Sequence, residues 1–313
     1  MLPLFFRIRY LKAAYYNRSC SIDAHDILYA QEEIGVELIV CPLCQEKAAR
    51  QRHKEGTYAM VRCLRCGFIY QNPRPNDAER FTSYQTYLPR GTTEIEAWGR
   101  MMQPVFQKGA DLIERHMPRG RLLDVGTGYG FFLALMQSRG WKVKGLEASE
   151  AGAHYGQTRW GLDILSQPWE EASFKKGEFD VVTAFYVIEH LPDPLAFLKK
   201  VHRILRPGGM LVLRYPHTTP IKDMLALMGI QNCLYHLPFH LCDFSPQSMR
   251  RALEHTGFVK IKTNIGGFTA PANFAGRWAG ICFGNLAELC SAVSRGMIIM
   301  PGVSKTTIAR KRT

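Results

Sequence analysis

No uninterrupted apolar run in the 313 residues approaches the roughly 20 that would cross a bilayer, so the sequence gives no support for a membrane-spanning helix. The apolar start Met1-Leu-Pro-Leu-Phe-Phe6 is broken by Arg7 and Arg9, too early for a secretory signal, and the expected location is the cytoplasm. Internal repeats and low-complexity tracts are also missing, which removes solenoid and linker architectures. Acidic residues are scarce: 27 against 40 Lys and Arg, for a net charge of +13. That imbalance favours anionic partners: nucleic acid, an acidic lipid surface approached peripherally, or a phosphorylated substrate. A disulfide framework is lacking too. Of nine cysteines, four form two tight Cys-x-x-Cys pairs, and Cys20, Cys233, Cys242, Cys282 and Cys290 are scattered singly. That pattern reads as a reduced, metal-binding intracellular chain. With 46% hydrophobic residues, the chain can bury a core for one α/β domain plus a smaller module, or for two modest domains.

Texture divides the sequence into a basic aromatic lead-in (1–39), a cysteine-bearing module (40–72), a connector and cap (73–104), an α/β core (105–264), and a C-terminal helical extension with a final edge strand (265–313). The connector opens on Asn72-Pro73-Arg74-Pro75-Asn76, whose prolines favour an extended or turning path, and holds Tyr84 and Tyr87. In the core, short β-like runs alternate with helical segments, the pattern of a parallel sheet. Expected strands are Arg121–Val125, Lys142–Glu147, Phe179–Phe185 and Met210–Tyr215. Between the last two, Asp193 as N-cap and Pro194 at N1 start a helix. Leu195, Leu198, Val201 and Leu205 line one face, and Pro207-Gly208-Gly209 stops it. Another helix is expected from Ser245-Pro246 to His255, then a strand over Phe258–Thr263. The apolar stretch 266–303 carries Arg277, Glu288 and Arg295 and reads as helices packed on the core, and Thr306–Ala309 reads as an edge strand.

The segment Arg121-Leu-Leu-Asp-Val-Gly-Thr-Gly-Tyr-Gly-Phe-Phe-Leu133 places a strand before three alternating glycines and a helix. Glycines let the backbone turn sharply and approach a ligand at the carboxyl end of a parallel strand. A dinucleotide loop would want its third glycine at position 131, which is Phe131. Asp124 points the same way: a carboxylate beside the loop repels pyrophosphate but suits a ligand bearing an ammonium and a sulfonium. About 20 residues past Gly126, a second strand ends on Glu147, where a carboxylate can accept ribose hydroxyls.

These residues resemble the class I S-adenosylmethionine-dependent methyltransferases. The likeness continues through Phe179-Asp-Val-Val-Thr-Ala-Phe-Tyr-Val-Ile-Glu-His-Leu-Pro-Asp-Pro194 and Leu205-Arg-Pro-Gly-Gly-Met-Leu-Val-Leu213. It is nearest to the subgroup of ubiquinone-pathway O-methyltransferases and bacterial small-molecule methyltransferases, and covers roughly 105–264. The resemblance implies a Rossmann-like, doubly wound α/β sheet and S-adenosyl-L-methionine as cofactor. It implies that Gly126, Gly128 and Gly130 contact the methionine portion and that Glu147 binds the ribose. Trp169, in Gln167-Pro-Trp-Glu170, falls where such enzymes contact adenine, and equally suits a packing aromatic.

Cys41-Pro-Leu-Cys44 and Cys63-Leu-Arg-Cys66 stand 18 residues apart and can bring four thiolates to one tetrahedral Zn²⁺. Four cysteines close the coordination shell, so such a zinc is structural. The segment also resembles zinc ribbons at the N-terminus of some bacterial methyltransferases, continuing as Cys66-Gly-Phe-Ile-Tyr-Gln-Asn-Pro-Arg-Pro75. Lys47, Arg50, Arg52, Lys54, Arg62 and Arg65 make the module basic. It reads either as a solvated face or as a grip on RNA phosphates.

Methyl transfer requires mainly positioning of the nucleophile and removal of its proton. Candidate bases are His190, His217 and His240, each expected at the ligand-binding edge of the sheet, with His190 and His240 the stronger pair. Phe239-His240-Leu-Cys-Asp243 resembles a His-containing turn of sugar C-methyltransferases, but Phe239 and Asp243 replace the Glu and Tyr found there, which argues against C-methylation. No Asn/Asp-Pro-Pro-Tyr/Phe motif follows the strand at 179–185 and no Pro-Cys pair occurs, which argues against nucleobase methylation. The expected acceptor is a hydroxyl of a small molecule, saccharide or lipid-linked compound. An RNA methyltransferase and a non-catalytic zinc-ribbon binding module are the alternatives.

Overall fold

The computed structural model describes residues 35–80, 82, 88–89, 91–230, 232–265, 286, 289–290, 293 and 304–313. Tyr84, Tyr87 and most of the stretch 266–303 lie outside them, so the helical reading of that stretch does too.

The core sheet is built from runs rich in β-branched and aromatic residues, which pack well when both faces are covered. Its parallel strands are β6 (Arg121–Val125), β7 (Lys142–Glu147), β8 (Ile164–Ser166), β9 (Phe179–Phe185) and β10 (Leu205–Tyr215). Two further strands, β12 (Phe258–Asn264) and β13 (Lys305–Lys311), complete seven in the order β12-β13-β10-β9-β6-β7-β8. The order reverses between β6 and β9, and a crevice for ligands opens at such a point beyond the carboxyl ends of the strands. Two expectations change here. The C-terminal strand is not at the edge: β13 inserts antiparallel between β10 and β12, leaving β12 outermost. Its Lys305–Ala309 are buried because both neighbours cover them. Strand β10 also starts earlier than expected, at Leu205, with a register irregularity across the Pro207-Gly208-Gly209 stretch.

Helices cover both faces. On one, α1 (Thr92–His116), α2 (Phe131–Ser138) and α3 (Glu150–Trp160) enclose Phe106, Ile113, Leu122, Phe132, Leu133 and Val181. On the other, α4 (Pro194–Ile204) and α6 (Pro246–His255) bury Phe197, Leu198, Val201, Met249 and Leu253. The expected caps form: Asp193 accepts from the Ala196 amide at 2.8 Å, and Ser245 makes a capping box with Ser248. A shorter helix, α5 (Thr219–Leu227), follows β10. None of the helices described is long and apolar enough to cross a membrane.

The cysteine-bearing module folds as three antiparallel strands, β2 (Ala49–Glu55), β3 (Tyr58–Cys63) and β4 (Ile69–Gln71). A fourth comes from the core: β11 (Cys242–Asp243) pairs with β4, and the Gln71 amide donates to the Leu241 carbonyl at 2.8 Å. Phe68 and Tyr70 share one hydrophobic cluster with Phe244 and α6, so the module and the core are continuous in packing. Two short strands, β1 (Val36–Glu37) and β5 (Arg74–Pro75), tie the end of the lead-in to the connector. One scattered cysteine departs from the reduced reading, because Cys233 is disulfide-bonded.

Candidate functional site

The glycine loop joins β6 to α2 at the reversal of strand order. The amides of Gly126 and Thr127 both donate to the Leu146 carbonyl, at 2.7 and 3.1 Å, which stitches the loop to the end of β7. Gly130 caps α2 with φ +77°, and a Cβ there would lie 2.6 Å from Leu162 Cδ1, so both conformation and space call for glycine. At Gly128 (φ +57°) a Cβ would meet only Trp98, at 3.7 Å, leaving this stretch of backbone open to close approach. Trp98, on α1, is a residue that sequence reasoning missed. Its ring also packs edge-on against Tyr129, with centroids 6.1 Å apart. One tryptophan in a polar-looking segment carries no signal of that placement.

Two carboxyls flank the loop. Glu147 is 9% exposed, and its oxygens accept from the Gly128 amide (2.7 Å) and the Ser149 amide (2.9 Å). Asp124 is 3% exposed and accepts from Thr183 Oγ1 at 2.6 Å. Burial pushes the Asp124 carboxyl up to about 7 and raises Glu147 as well, outweighing the hydrogen bonds that oppose it. Two desolvated carboxyls around a glycine turn fit a ligand with positive charge and hydroxyls, and disfavour a pyrophosphate. Trp169 is buried among Phe174 and Phe197, with Lys200 Nζ 4.5 Å from its ring centroid.

Beyond β9 the chain passes Tyr186, at φ +60°, and enters a short 3₁₀ turn, Ile188–His190. Left-handed backbone at a tyrosine is strained, and Arg214 and Ser304 hold its hydroxyl at 2.9 and 3.1 Å. The turn brings His190 beside His240, rings 4.8 Å apart, and His236 lies 5.2 Å beyond His240. His190 Nδ1 is 2.9 Å from the Phe239 carbonyl. Burial pulls His190 down to about 4 and His240 well below the ordinary histidine range, so both are uncharged at neutral pH. His217 is pulled to about 4 by burial and by Lys305 but has no place in the paired-ring cluster. The site also contains Glu189, which sequence reasoning passed over although it adjoins His190. It stands between Ile188 and His190 in a short turn with no periodic signal to show that it points inward.

In the cysteine-bearing module, Cys41 Sγ lies 3.6 Å from Cys66 Sγ and Cys44 Sγ lies 3.5 Å from Cys63 Sγ, with all four sulfurs within 4.8 Å of one another. Gly67, at φ +73°, turns the second knuckle. Arg52, one of the basic residues that suggested an RNA grip, spends its guanidinium on both oxygens of Asp223 in α5, at 2.6 and 2.7 Å.

A doubly wound sheet with a glycine turn, a buried acid at the end of the next strand and β13 inserted antiparallel defines a class I S-adenosylmethionine-dependent methyltransferase. Residues 97–263 match the family described as methyltransferase domain, and the chain belongs to it. It is 32% identical over 130 residues to ubiquinone biosynthesis O-methyltransferase from Pseudomonas aeruginosa, covering 40% of this chain and 56% of that one. With the protein of the same name from Xanthomonas campestris pv. campestris it shares 31% over 155 residues, covering 47% and 65%. The matches thus span little more than half to two thirds of those curated relatives. Among solved structures, phosphoethanolamine N-methyltransferase 2 from Haemonchus contortus, in complex with S-adenosyl-L-methionine, superposes with a TM-score of 0.50 at 16% identity. That superposition covers 84% of this chain and 71% of that one, a likeness of fold alone. The protein is an enzyme that uses S-adenosyl-L-methionine.

Proposed function

We propose that the enzyme methylates a hydroxyl of a small-molecule, saccharide or lipid-linked acceptor, and that Cys41, Cys44, Cys63 and Cys66 hold a structural Zn²⁺. The observation that carries the reading is the adjacency of two differently equipped halves. Buried carboxyls surround the glycine loop, and uncharged imidazoles stand just beyond the next strand. S-adenosyl-L-methionine, when bound, supplies a methyl group activated by its sulfonium. Asp124 would offset positive charge on the ligand, the backbone at Gly126, Gly128 and Gly130 would hold its methionine portion, and Glu147 would accept from the ribose hydroxyls. Trp169 is assigned to the adenine end. His190 and His240, kept neutral by burial, are the groups able to take a hydroxyl proton at a ring nitrogen.

The names of the curated relatives support oxygen as the atom methylated. A lipid-linked acceptor draws support from α5 and its C-terminal turn, where Met224, Leu227, Met228 and Ile230 are exposed. That segment is anchored beside the site by Asp243, which accepts from the Thr218 and Thr219 amides at 2.8 Å each. Four sulfurs so close together are the donor set of a closed tetrahedral zinc site. The test is methyl transfer to hydroxyl acceptors by Glu147→Ala with its fold verified by circular dichroism. The expected result is loss of transfer through lost cofactor affinity, and full activity at wild-type cofactor concentration would sink the assignment.

A further inference from the structure

Glu189 is 1% exposed, and neither of its carboxyl oxygens has a hydrogen-bond partner among the described residues. Burying a carboxylate without a donor or cation costs several kcal/mol. A fold that places such a group at the ligand edge of its sheet, two residues past Val187, calls for a partner that the described residues do not provide. Val187 packs against the glycine loop: a Cβ on Gly126 would lie 2.5 Å from its Cγ2.

The neighbours of Glu189 have the right chemistry for a cation. One ligand atom from each of Glu189, His190 and His240 lies within 4.8 Å of the others. The Phe239 carbonyl can only accept, so His190 Nδ1 carries the proton and the lone pair sits on Nε2. A backbone carbonyl fixing the far nitrogen is the usual arrangement behind a metal-binding histidine. The backbone holds the three residues in place. The Leu241 amide donates to the Glu189 carbonyl at 2.7 Å, and the Leu241 carbonyl in turn accepts from Gln71.

We propose that Glu189, His190 and His240 bind one divalent first-row transition-metal ion of the Zn²⁺ type, separate from the four-cysteine site. Two imidazole nitrogens and one carboxylate oxygen suit Zn²⁺, Fe²⁺, Mn²⁺ or Co²⁺ better than Mg²⁺ or Ca²⁺, which prefer all-oxygen shells. Three protein ligands leave coordination positions open, unlike the closed set of four sulfurs. Resting on the hydroxyl-methylation reading above, the ion would act as a Lewis acid that acidifies the acceptor hydroxyl, whose proton would pass to solvent water as its oxygen takes the methyl group and the sulfonium leaves as a neutral thioether. With the ion bound, a ring nitrogen of each of His190 and His240 would be spent on the metal, which would replace the free-base role they have in its absence.

The full-length protein is equilibrated with Zn²⁺, dialysed free of loosely held metal, and its zinc per chain counted by elemental analysis. Zn²⁺ affinity is measured by calorimetry. Wild type is expected to hold two ions. Glu189→Gln and His240→Gln, which keep shape and polarity, are expected to hold one, with the second-site affinity down at least roughly 100-fold and circular dichroism unchanged. A wild type that holds a single ion, or variants that bind the second as tightly, would overturn the inference. The readout does not depend on catalysis. A second ion without hydroxyl methylation defeats only the proposed function, and hydroxyl methylation by a one-ion protein defeats only this inference.

Discussion

Replacing Asp124 with Asn tests the electrostatic logic of the cofactor site through one atom pair. The substitution keeps the side chain's shape and the acceptor for Thr183 Oγ1, and removes only the ability to carry charge. Moving a carboxyl from 3.8 to about 7 costs roughly 4 kcal/mol at about 1.4 kcal/mol per tenfold change. The folded value is the raised one. The stabilising contribution is therefore complete below about pH 4, falls as pH rises toward about 7, and levels off above it. Between pH 5 and 8 the cofactor-free wild type should lose about 3 kcal/mol of stability through this group that Asp124→Asn keeps. At roughly 2–4 °C per kcal/mol, the melting difference between variant and wild type should widen by about 10 °C across that range. Other groups titrate over the same window, so the difference between the two proteins is the quantity to read. Calorimetry on the same proteins should show the opposite sense for the ligand. Affinity for S-adenosyl-L-methionine should fall about 10- to 100-fold in the variant with the loss of one charged partner. Wild-type binding near pH 6 should release a proton that the variant does not. Parallel melting curves for the two proteins, or undiminished affinity in Asp124→Asn, would refute the idea that this carboxyl is buried to meet a cation.

Gly130→Ala forces a left-handed backbone onto a residue whose Cβ also meets Leu162, and should cost about 1–3 kcal/mol in denaturant unfolding. Cys44→Ser removes one of four sulfurs. It should abolish the zinc proposed for the ribbon in elemental analysis and speed amide exchange at Gln71, whose hydrogen bond crosses to the core. Arg52→Ala breaks an ion pair that is partly open to water, so its effect on stability should stay under about 1 kcal/mol in a urea titration.

The parallel strands were legible because β6 and β9 are short, largely apolar runs and β7 ends on Gly145-Leu146-Glu147 at the spacing the glycine loop sets, and the observed limits of all three are those expected from the sequence. Helix α4 was equally legible, since Asp193-Pro194 is a local signal that needs no tertiary context. The misreadings are non-local. Thr306–Ala309 reads as an edge from its position at the end of the chain, whereas its burial is set by β10 and β12 on either side. Cys242–Asp243 is too short to carry a periodic signal, and only its partner β4 makes it a strand. In the site, the glycine loop and Glu147 follow a spacing that sequence can display. The meeting of His190 and His240 rests on the backbone link from Leu241 to Glu189, which no pattern of residue types encodes. Arg52 shows the same limit for charge: its composition suggested a nucleic-acid surface, and its geometry gives it to Asp223.

Strand β11 also imposes an order on how the chain is made. Strands β2 to β4 leave the ribosome early, yet the strand that covers the outer side of β4 emerges about 170 residues later. Through that interval β4 presents an open row of backbone donors and acceptors, the kind of edge on which newly made chains mispair. A metal taken up at the four cysteines would hold the unfinished sheet together while it waits. With zinc at the four cysteines, as proposed, the vulnerable period would lie in synthesis, and zinc shortage would harm the nascent chain before it affected the finished enzyme.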